Sequence, residues 1–560
     1  MSHLLLNIQQ LHIAFKGNPA PVEAVRGLSL HIHAGESVGL VGESGSGKSV
    51  TALSILGLLP KANLHRISGQ VQYAPDPDTS FSLLGHDLSR IRGKEIAMIF
   101  QEPMSALNPV MRCGFQVTEA IRHHLGATKH EAREQTLELF EQVRLPDPAR
   151  AFRAYPHELS GGQKQRVMIA MALSCKPRLL LADEPTTALD VTVQKGILDL
   201  LDDIRAARGL AMLFISHDLG VVRRITDRVA VLYRGELQEE GPTADVLRQP
   251  RAPYTRGLLA SRPRMDVRYE RMPTVADFKE NPGYTPLIRP HKAPENAPAQ
   301  PPLLQVEHLS VRFPKRKNVL GVPVEWTQAV NDVSFDLFPG ECLGLAGESG
   351  CGKTTLGRAI ARLVQAEKGR VVFRGDDWSE LSGKALRQQR RHMQVVFQDP
   401  YASLNPRMRI GDAIGEPMLV HGLATDKKAC KAQVIALLEQ VGLQADHYSR
   451  YPHAFSGGQR QRIGIARALA LQPALLICDE IVSALDVSVQ ATILNLLADL
   501  QQQFGLSYLF ISHDLSVINQ LCDRVLIMQS GAIDAEGTPQ SLFQSPPTAY
   551  VQSLMDAVLV

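Results

Sequence analysis

Seven cysteines in 560 residues, scattered and odd in number, make no spacing suited to a metal or a disulfide framework and point to reduced thiols in a cytosolic chain. Charge of one sign is also lacking. Sixty lysines and arginines stand against 57 aspartates and glutamates, so the bulk charge asks for no nucleic-acid partner. No apolar run reaches the length that crosses a bilayer. Met1 to Phe15 has neither the basic start nor the small-residue cleavage site of a secretory signal and reads as a first strand. Any service to a membrane must therefore run through partners. What is present is ordinary: 44% hydrophobic and 21% charged residues, on a chain too long for one core and suited to three or four compact units.

Two nearly identical loops organise the chain: Gly42-Glu43-Ser44-Gly45-Ser46-Gly47-Lys48-Ser49 and Gly347-Glu348-Ser349-Gly350-Cys351-Gly352-Lys353-Thr354. Each follows a short apolar run (Ser37 to Val41, Cys342 to Ala346) and precedes a helical pattern, the context a phosphate-binding loop requires. Glycines let successive N–H groups and the next helix N-terminus face phosphate oxygens. The lysine supplies a cation to the β- and γ-phosphates, and the Ser or Thr hydroxyl ligates Mg²⁺. The expected ligands are a nucleotide and Mg²⁺, bound twice.

The companions of the loops repeat as well. Lys353 lies 305 residues beyond Lys48, Gln398 lies 297 beyond Gln101 and Glu480 lies 296 beyond Glu184. That period is too long for a solenoid and means two whole domains. Between them, Pro263 to Pro302 carries nine prolines in forty residues, which predicts an extended, semi-rigid tether. The expected layout is a first domain over 1–261 with a short C-terminal extension, a linker over 262–302, and a second domain over 303–560 with its own short extension.

In the first half, Leu4 to Ala14 and Gly27 to His33 read as strands. Phe15 at the first strand end is placed either to stack on an adenine face or to fill the core; Phe313 is its counterpart. Ser49 to Leu59 reads as a helix ended by Pro60, and Ile96 to Phe100 as a buried strand ending at Gln101. Pro103 to Cys175 turns helical, with a capping box at Thr128 and Glu131. Leu159-Ser160-Gly161-Gly162-Gln163 opens another helix, in an anion-binding geometry or as an ordinary glycine-rich cap. Leu179 to Glu184 is an apolar strand delivering two carboxylates to opposite faces. Asp183 suits Mg²⁺, while Glu184 suits polarising the attacking water. Met212 to Ser216 is a strand ending at His217, placed either for its imidazole to bond a γ-phosphate or as a structural strand-end histidine. Arg228 to Glu239 reads as a hairpin.

The set Gly42 to Ser49, Gln101, Leu159 to Gln163, Asp183-Glu184, Ala188-Leu189-Asp190 and His217 resembles the nucleotide-binding domain of ABC transporters. The second half repeats it as Gly347 to Thr354, Gln398, Phe455-Ser456-Gly457-Gly458-Gln459, Asp479-Glu480, Ala484-Leu485-Asp486 and His513. The resemblance implies an α/β fold: two tandem P-loop NTPase domains, each with a RecA-like core, an antiparallel β subdomain and an inserted helical subdomain. It implies Glu184, Glu480, His217, His513, Gln101 and Gln398 as catalytic groups. Ser49, Gln101 and Asp183, and Thr354, Gln398 and Asp479, would serve the metal. Domains of this family meet head to tail, so Lys48 and its companions would work with Ser456 and Gly458, and Lys353 and its companions with Ser160 and Gly162. Both sites are expected to hydrolyse ATP.

Gln101-Glu102-Pro103 with Ser105-Ala106-Leu107-Asn108-Pro109, and Gln398-Asp399-Pro400 with Ser403-Leu404-Asn405-Pro406, resemble peptide and nickel importer ATPases. So do the tails Ala252-Pro253-Tyr254-Thr255 and Pro547-Thr548-Ala549-Tyr550. The fused pair is similar to the oligopeptide and microcin-type importers. This implies two transmembrane permease subunits and a solute-binding protein as partners, at the cytoplasmic face of the inner membrane. Peptides are the first expected cargo, ahead of nickel, glutathione-like compounds and peptide antibiotics. A cysteine cluster for an iron–sulfur centre, frequent in the family, is not expected, because no cysteine lies between Cys175 and Cys342. Two departures stand in the second half: Ile481 where proline is common, which should loosen that turn, and Phe455 in place of leucine. The rival from another class is an ABC ATPase of translation or DNA repair, which would favour a basic linker or zinc-type cysteine pairs.

Overall fold

A computed structural model describes residues 3–17, 20–102, 106–187, 191–289, 300–317, 323–399, 401, 403–483 and 485–558. The chain divides into two units, one of Met1–Ala260 with Val275–Tyr284, the other of Ser261–Thr274 with Thr285–Val558.

The first unit holds two sheets. Strands β1 (Leu4–Phe15), β2 (Val22–His33), β4 (Leu64–Asp76) and β5 (Thr79–Ser82) form an antiparallel sheet in the order β2-β1-β4-β5. Strands β3 (Ser37–Val41), β6 (Ile96–Ile99), β7 (Leu179–Asp183), β8 (Ala211–Ser216), β9 (Arg228–Tyr233) and β10 (Glu236–Pro242) form a second, ordered β10-β9-β3-β8-β7-β6. All neighbours in it are parallel except β9 and β10. Strands β3, β7 and β8 are buried along their whole length because both faces of the sheet are covered. Leu179 and Leu181 point into a core shared with the antiparallel sheet and with the helix Lys48–Ile55. Leu180 and Ala182 point into the opposite core, against the helices Cys113–Leu125, Lys129–Gln142 and Gly161–Leu173. The capping box of Thr128 and Glu131 is formed as the spacing predicts.

The second unit repeats this plan with β11 (Leu304–Lys317), β12 (Pro323–Leu337), β13 (Cys342–Ala346), β14 (Lys368–Phe373), β15 (Asp376–Asp377), β16 (Met393–Val396), β17 (Leu475–Asp479), β18 (Ser507–Ile511), β19 (Arg524–Gln529) and β20 (Ala532–Gly537). The sheets run β12-β11-β14-β15 and β16-β17-β18-β13-β19-β20. Parallel strands present their C-terminal ends, with the loops that follow, along one edge, and in such sheets that edge is where ligands bind.

The proline-rich segment departs from the tether its composition predicts. Tyr269, Met272, Val275 and Phe278 are buried. Residues Ser261–Thr274 belong to the second unit, where two side-chain amides grip the backbone. Met272 donates to Asn495 Oδ1 and accepts from Asn495 Nδ2, both at 2.8 Å. Tyr269 donates to Gln520 Oε1 at 2.9 Å and accepts from Gln520 Nε2 at 2.8 Å. A few apolar anchors and paired backbone groups therefore order a stretch whose average composition reads as unstructured. Residues 290–299 lie outside the described residues.

Candidate functional site

Each phosphate-type loop leaves the central strand of its sheet and closes on a helix whose N-cap is glycine. Gly47 has φ 102°, and a Cβ there would sit 2.4 Å from the carbonyl oxygen of Ala24. At Gly352 φ is 111° and the clash would be 2.1 Å from Ala329 O. A left-handed conformation pressed against backbone admits only glycine. The lysines that follow are buried, and their ammonium groups turn back on the loop. Lys48 Nζ donates to Gly42 O at 2.7 Å and Glu43 O at 2.9 Å. Lys353 Nζ donates to Gly347 O at 2.8 Å and Glu348 O at 2.7 Å. Ser44, Gly45 and Ser46, like Ser349, Gly350 and Cys351, form the bend between the two ends of each loop.

The two carboxylates at the end of β7 do diverge. Ser49 Oγ donates to Asp183 Oδ1 at 3.0 Å. Glu184 Oε2 accepts instead from Gln101 Nε2 and Thr187 Oγ1, each at 2.9 Å, and lies 3.2 Å from His217 Nδ1. The second unit matches this: Thr354 Oγ1 donates to Asp479 Oδ1 at 2.8 Å, Gln398 Nε2 to Glu480 Oε2 at 2.8 Å, and His513 Nδ1 lies 3.4 Å from Glu480 Oε1. One difference stands out. Where Thr187 reaches the Glu184 carboxylate, Ser483 Oγ donates to the backbone oxygen of Glu480.

Both glutamates take a positive φ, 46° at Glu184 and 48° at Glu480. The glutamate takes the same left-handed conformation whether Pro185 or Ile481 follows, and the Ile481 side chain is buried at 2% exposure in the second unit's core. Phe455 is likewise buried.

Electrostatics separates the pair further. Burial pushes the Asp183 carboxyl up to about 6, against the Ser49 hydrogen bond and with the charge of Glu184. Burial would lift Glu184 too, but the hydrogen bond and charge of His217, with the charge of Lys48, bring it down to about 2. Asp479 is raised and Glu480 lowered for the same reasons. At His513 burial works against the charged ring, yet Glu480 holds its pKa above the ordinary value. The two neighbouring carboxylates of each unit are thus driven apart, the aspartate upward by burial and the glutamate downward by its histidine and lysine neighbours.

Ser160 and Gln163 cap the helix Gly161–Leu173 reciprocally: Gln163 N donates to Ser160 Oγ at 3.3 Å and Ser160 N to Gln163 Oε1 at 3.2 Å. Ser456 and Gln459 do the same at 3.4 and 3.1 Å. Gly162 and Gly458 face Val193 and Val489, leaving no room for a side chain. Both readings of these pentads are thus compatible: the cap is formed, and the N–H groups of Gly161 and Gly457 begin helices of 13 residues. Phe15 packs against the first core, whereas Phe313 is 41% exposed. Pro103, Ser105, Ala188-Leu189-Asp190, Pro400 and Ala484 lie outside the described residues.

Sequence reasoning missed two contacts. Tyr254 OH accepts from Glu43 N, and Tyr550 OH from Glu348 N, each at 3.1 Å. Their recurrence 296 residues apart was the available signal.

The family model described as ABC transporter matches residues 25–187 and 330–483. This chain belongs to the ABC transporter family. It is an ATPase with two ABC domains in one chain. A further family model, the C-terminal region of oligopeptide/dipeptide transporters, matches residues 238–285. The glutathione import ATP-binding protein GsiA of Escherichia coli (strain K12) is 46% identical over 573 residues, covering 99% of this chain and 90% of the relative. GsiA of Pectobacterium atrosepticum is 45% identical over 560 residues with the same coverage. Among solved structures, CbiO1 of Clostridium perfringens, part of the ABC transporter complex CbiONQ, covers 44% of this ABC chain and 92% of its own, at 24% identity and a TM-score of 0.38. Among the described residues no helix is long and apolar enough to cross a membrane.

Proposed function

We propose that this ABC ATPase drives uptake of a peptide-like solute, glutathione or short peptides foremost, at the cytoplasmic face of the inner membrane. Its partners on this reading are two transmembrane permease subunits and a solute-binding protein that selects the cargo. The observation that carries the reading is end-to-end similarity to glutathione import ATP-binding proteins, at 46% identity over 99% of this chain. The match to the oligopeptide/dipeptide C-terminal region supports the same cargo class, and nothing favours the translation or repair alternative.

Site roles follow from the geometry. Lys48 and Lys353 exchange loop carbonyls for phosphate oxygens, which are stronger, charged acceptors. Glu184 and Glu480, ionised at neutral pH, accept a proton from the attacking water once Gln101 and Gln398 release them. His217 and His513 orient those carboxylates. Ser160 with Gly161 and Gly162, and Ser456 with Gly457 and Gly458, offer hydroxyl and N–H donors to phosphate. Phe15 and Phe313 remain the candidates for the adenine face.

Mg²⁺ fits the donor set. Ser49 with Asp183, and Thr354 with Asp479, pair a hydroxyl and a buried carboxylate oxygen, and a cation held partly by substrate phosphates needs no more protein ligands than these. When bound, it would supply charge neutralisation of the phosphates.

The test is uptake of labelled glutathione, dipeptides and nickel by cells lacking the gene, with and without the wild-type copy. Restoration of glutathione or peptide uptake supports the proposal. Uptake of neither, with restored nickel uptake, replaces the cargo.

A further inference from the structure

The tail after each ABC core returns to the loop that holds the phosphate-site lysine. In the first unit Tyr254, on the helix Pro253–Ala260, is 2% exposed and its hydroxyl accepts from Glu43 N at 3.1 Å. That N–H shares one planar peptide group with the carbonyl of Gly42, and Gly42 O is the closer acceptor of Lys48 Nζ, at 2.7 Å. A single peptide is thus pinned at both ends, by a tyrosine hydroxyl on nitrogen and by the lysine on oxygen. The second unit repeats the arrangement, although there Glu348 O is the closer lysine acceptor, at 2.7 Å. Tyr550 OH accepts from Glu348 N at 3.1 Å, and Lys353 Nζ donates to Gly347 O at 2.8 Å. Tyr550 lies on the helix Ala549–Ala557, and its burial and its neighbours drive its phenol up to about 12, so the hydroxyl keeps its proton.

We infer that Tyr254 and Tyr550 are positioning residues for nucleotide binding: each fixes the peptide plane that sets the direction of the phosphate-site lysine. A hydroxyl that accepts from N–H strengthens the carbonyl at the other end of the same peptide as an acceptor. Without it the 42–43 or 347–348 peptide turns more freely, and the lysine must be ordered when nucleotide binds, which lowers affinity. In the first unit the anchor reaches further. The Tyr233 ring lies 4.4 Å from that of Tyr254 and carries Lys279 Nζ 3.8 Å above its centroid, so the helix Val275–Glu280 backs the same contact. The position corresponding to Tyr233 in the second unit is Gln529, and the anchor there stands without that support.

The inference rests on the assignment of Lys48 and Lys353 to phosphate. It is tested in the full chain with Tyr254→Phe, Tyr550→Phe and the double variant, measuring ATP binding, KM and kcat for ATP, and thermal melting. Phenylalanine keeps the ring packing and removes only the hydroxyl. Loss of the hydroxyl's hydrogen bond to the loop N–H, together at Tyr550 with a long one of 3.5 Å to Met528 O, predicts a roughly three- to tenfold weaker ATP affinity and higher KM for the altered site, with kcat at saturating ATP within about twofold and the fold intact. Tyr254→Ala, which also removes the ring, should melt earlier. A folded double Phe variant with wild-type KM, or one that loses kcat at unchanged KM, would overturn the inference. A wild-type chain that binds no ATP would instead remove the lysine assignment.

Discussion

Gln101 holds Glu184: the side-chain amide nitrogen of the first lies 2.9 Å from the carboxylate of the second, and Gln398 and Glu480 repeat the contact at 2.8 Å. The glutamine thus occupies the carboxylate proposed to activate water. Hydrolysis then requires that this bond open, which gives a direct way for a movement at the glutamine to license chemistry.

Glu184→Gln with Glu480→Gln keeps the shape of the site and removes the proton acceptor. ATP binding should persist, while turnover falls by about two to four orders of magnitude. Nucleotide binding and steady-state phosphate release measured on the same preparation check this. Near-normal hydrolysis would remove the role from both glutamates.

Asp183 should limit stability in the absence of a cation. A carboxyl raised from 3.8 to about 6 favours the fold below its unfolded pKa, and that advantage is lost as pH rises through the folded value. Once ionised it costs on the order of 3 kcal/mol at 1.36 kcal/mol per pH unit. Asp183→Asn should therefore raise the melting temperature of the nucleotide-free chain at pH 7.5, by an amount that shrinks towards pH 4, while Mg²⁺-dependent hydrolysis is lost at that site. Calorimetry across that range measures it, and an Asn variant melting lower at every pH would contradict the argument.

Most of this site is legible in the sequence because its chemistry is local. The glycines of 42–47, the Ser160–Gln163 cap and the Asp183-Glu184 pair each act within a few residues, so spacing alone exposes them. Tyr254 acts across 211 residues, and no local pattern tells which loop a tail tyrosine will reach. The segment 261–289 misleads for a related reason. Its prolines report a chain that cannot fold by itself, while Tyr269 and Met272 are ordered by partners more than 220 residues away. Ile481 shows the opposite limit, since a departure from proline visible in the sequence leaves the φ of the preceding glutamate alike in the two units, 46° and 48°.

Cys351 offers a way to address one site. Among the described residues it is the only cysteine that is not buried, and Ser46 takes its place in the first loop. Burial raises its thiol above the ordinary range, with the nearby charge of Lys353 opposing, so alkylation should be slow at pH 7 and accelerate as pH rises. Saturating ATP should protect it. Peptide mass spectrometry after N-ethylmaleimide treatment follows the reaction, and Cys351→Ser should abolish the accompanying loss of activity. Labelling unaffected by ATP would place the thiol away from bound nucleotide.

The two halves also differ where the segment 261–274 docks. Asn495 and Gln520 grip Met272 and Tyr269 on the second unit, while the positions that correspond to them in the first unit, Asp199 and Arg224, form an ion pair with each other. Asp carries no donor for Met272 O, and Arg no acceptor for Tyr269 N. Asn495→Asp with Gln520→Arg would therefore close the second unit's surface on itself, leaving two backbone N–H groups and two carbonyls to water. Amide exchange at Tyr269 and Met272 should speed up by about tenfold or more, as a segment held by a few hydrogen bonds passes to local opening. The exposed Arg271–Asp499 pair cannot compensate, because a surface ion pair contributes at most about 1 kcal/mol. Asp499→Ala is thus the control expected to leave exchange nearly unchanged, and protection that survives the double substitution would show that burial of Tyr269 and Met272 alone holds the segment.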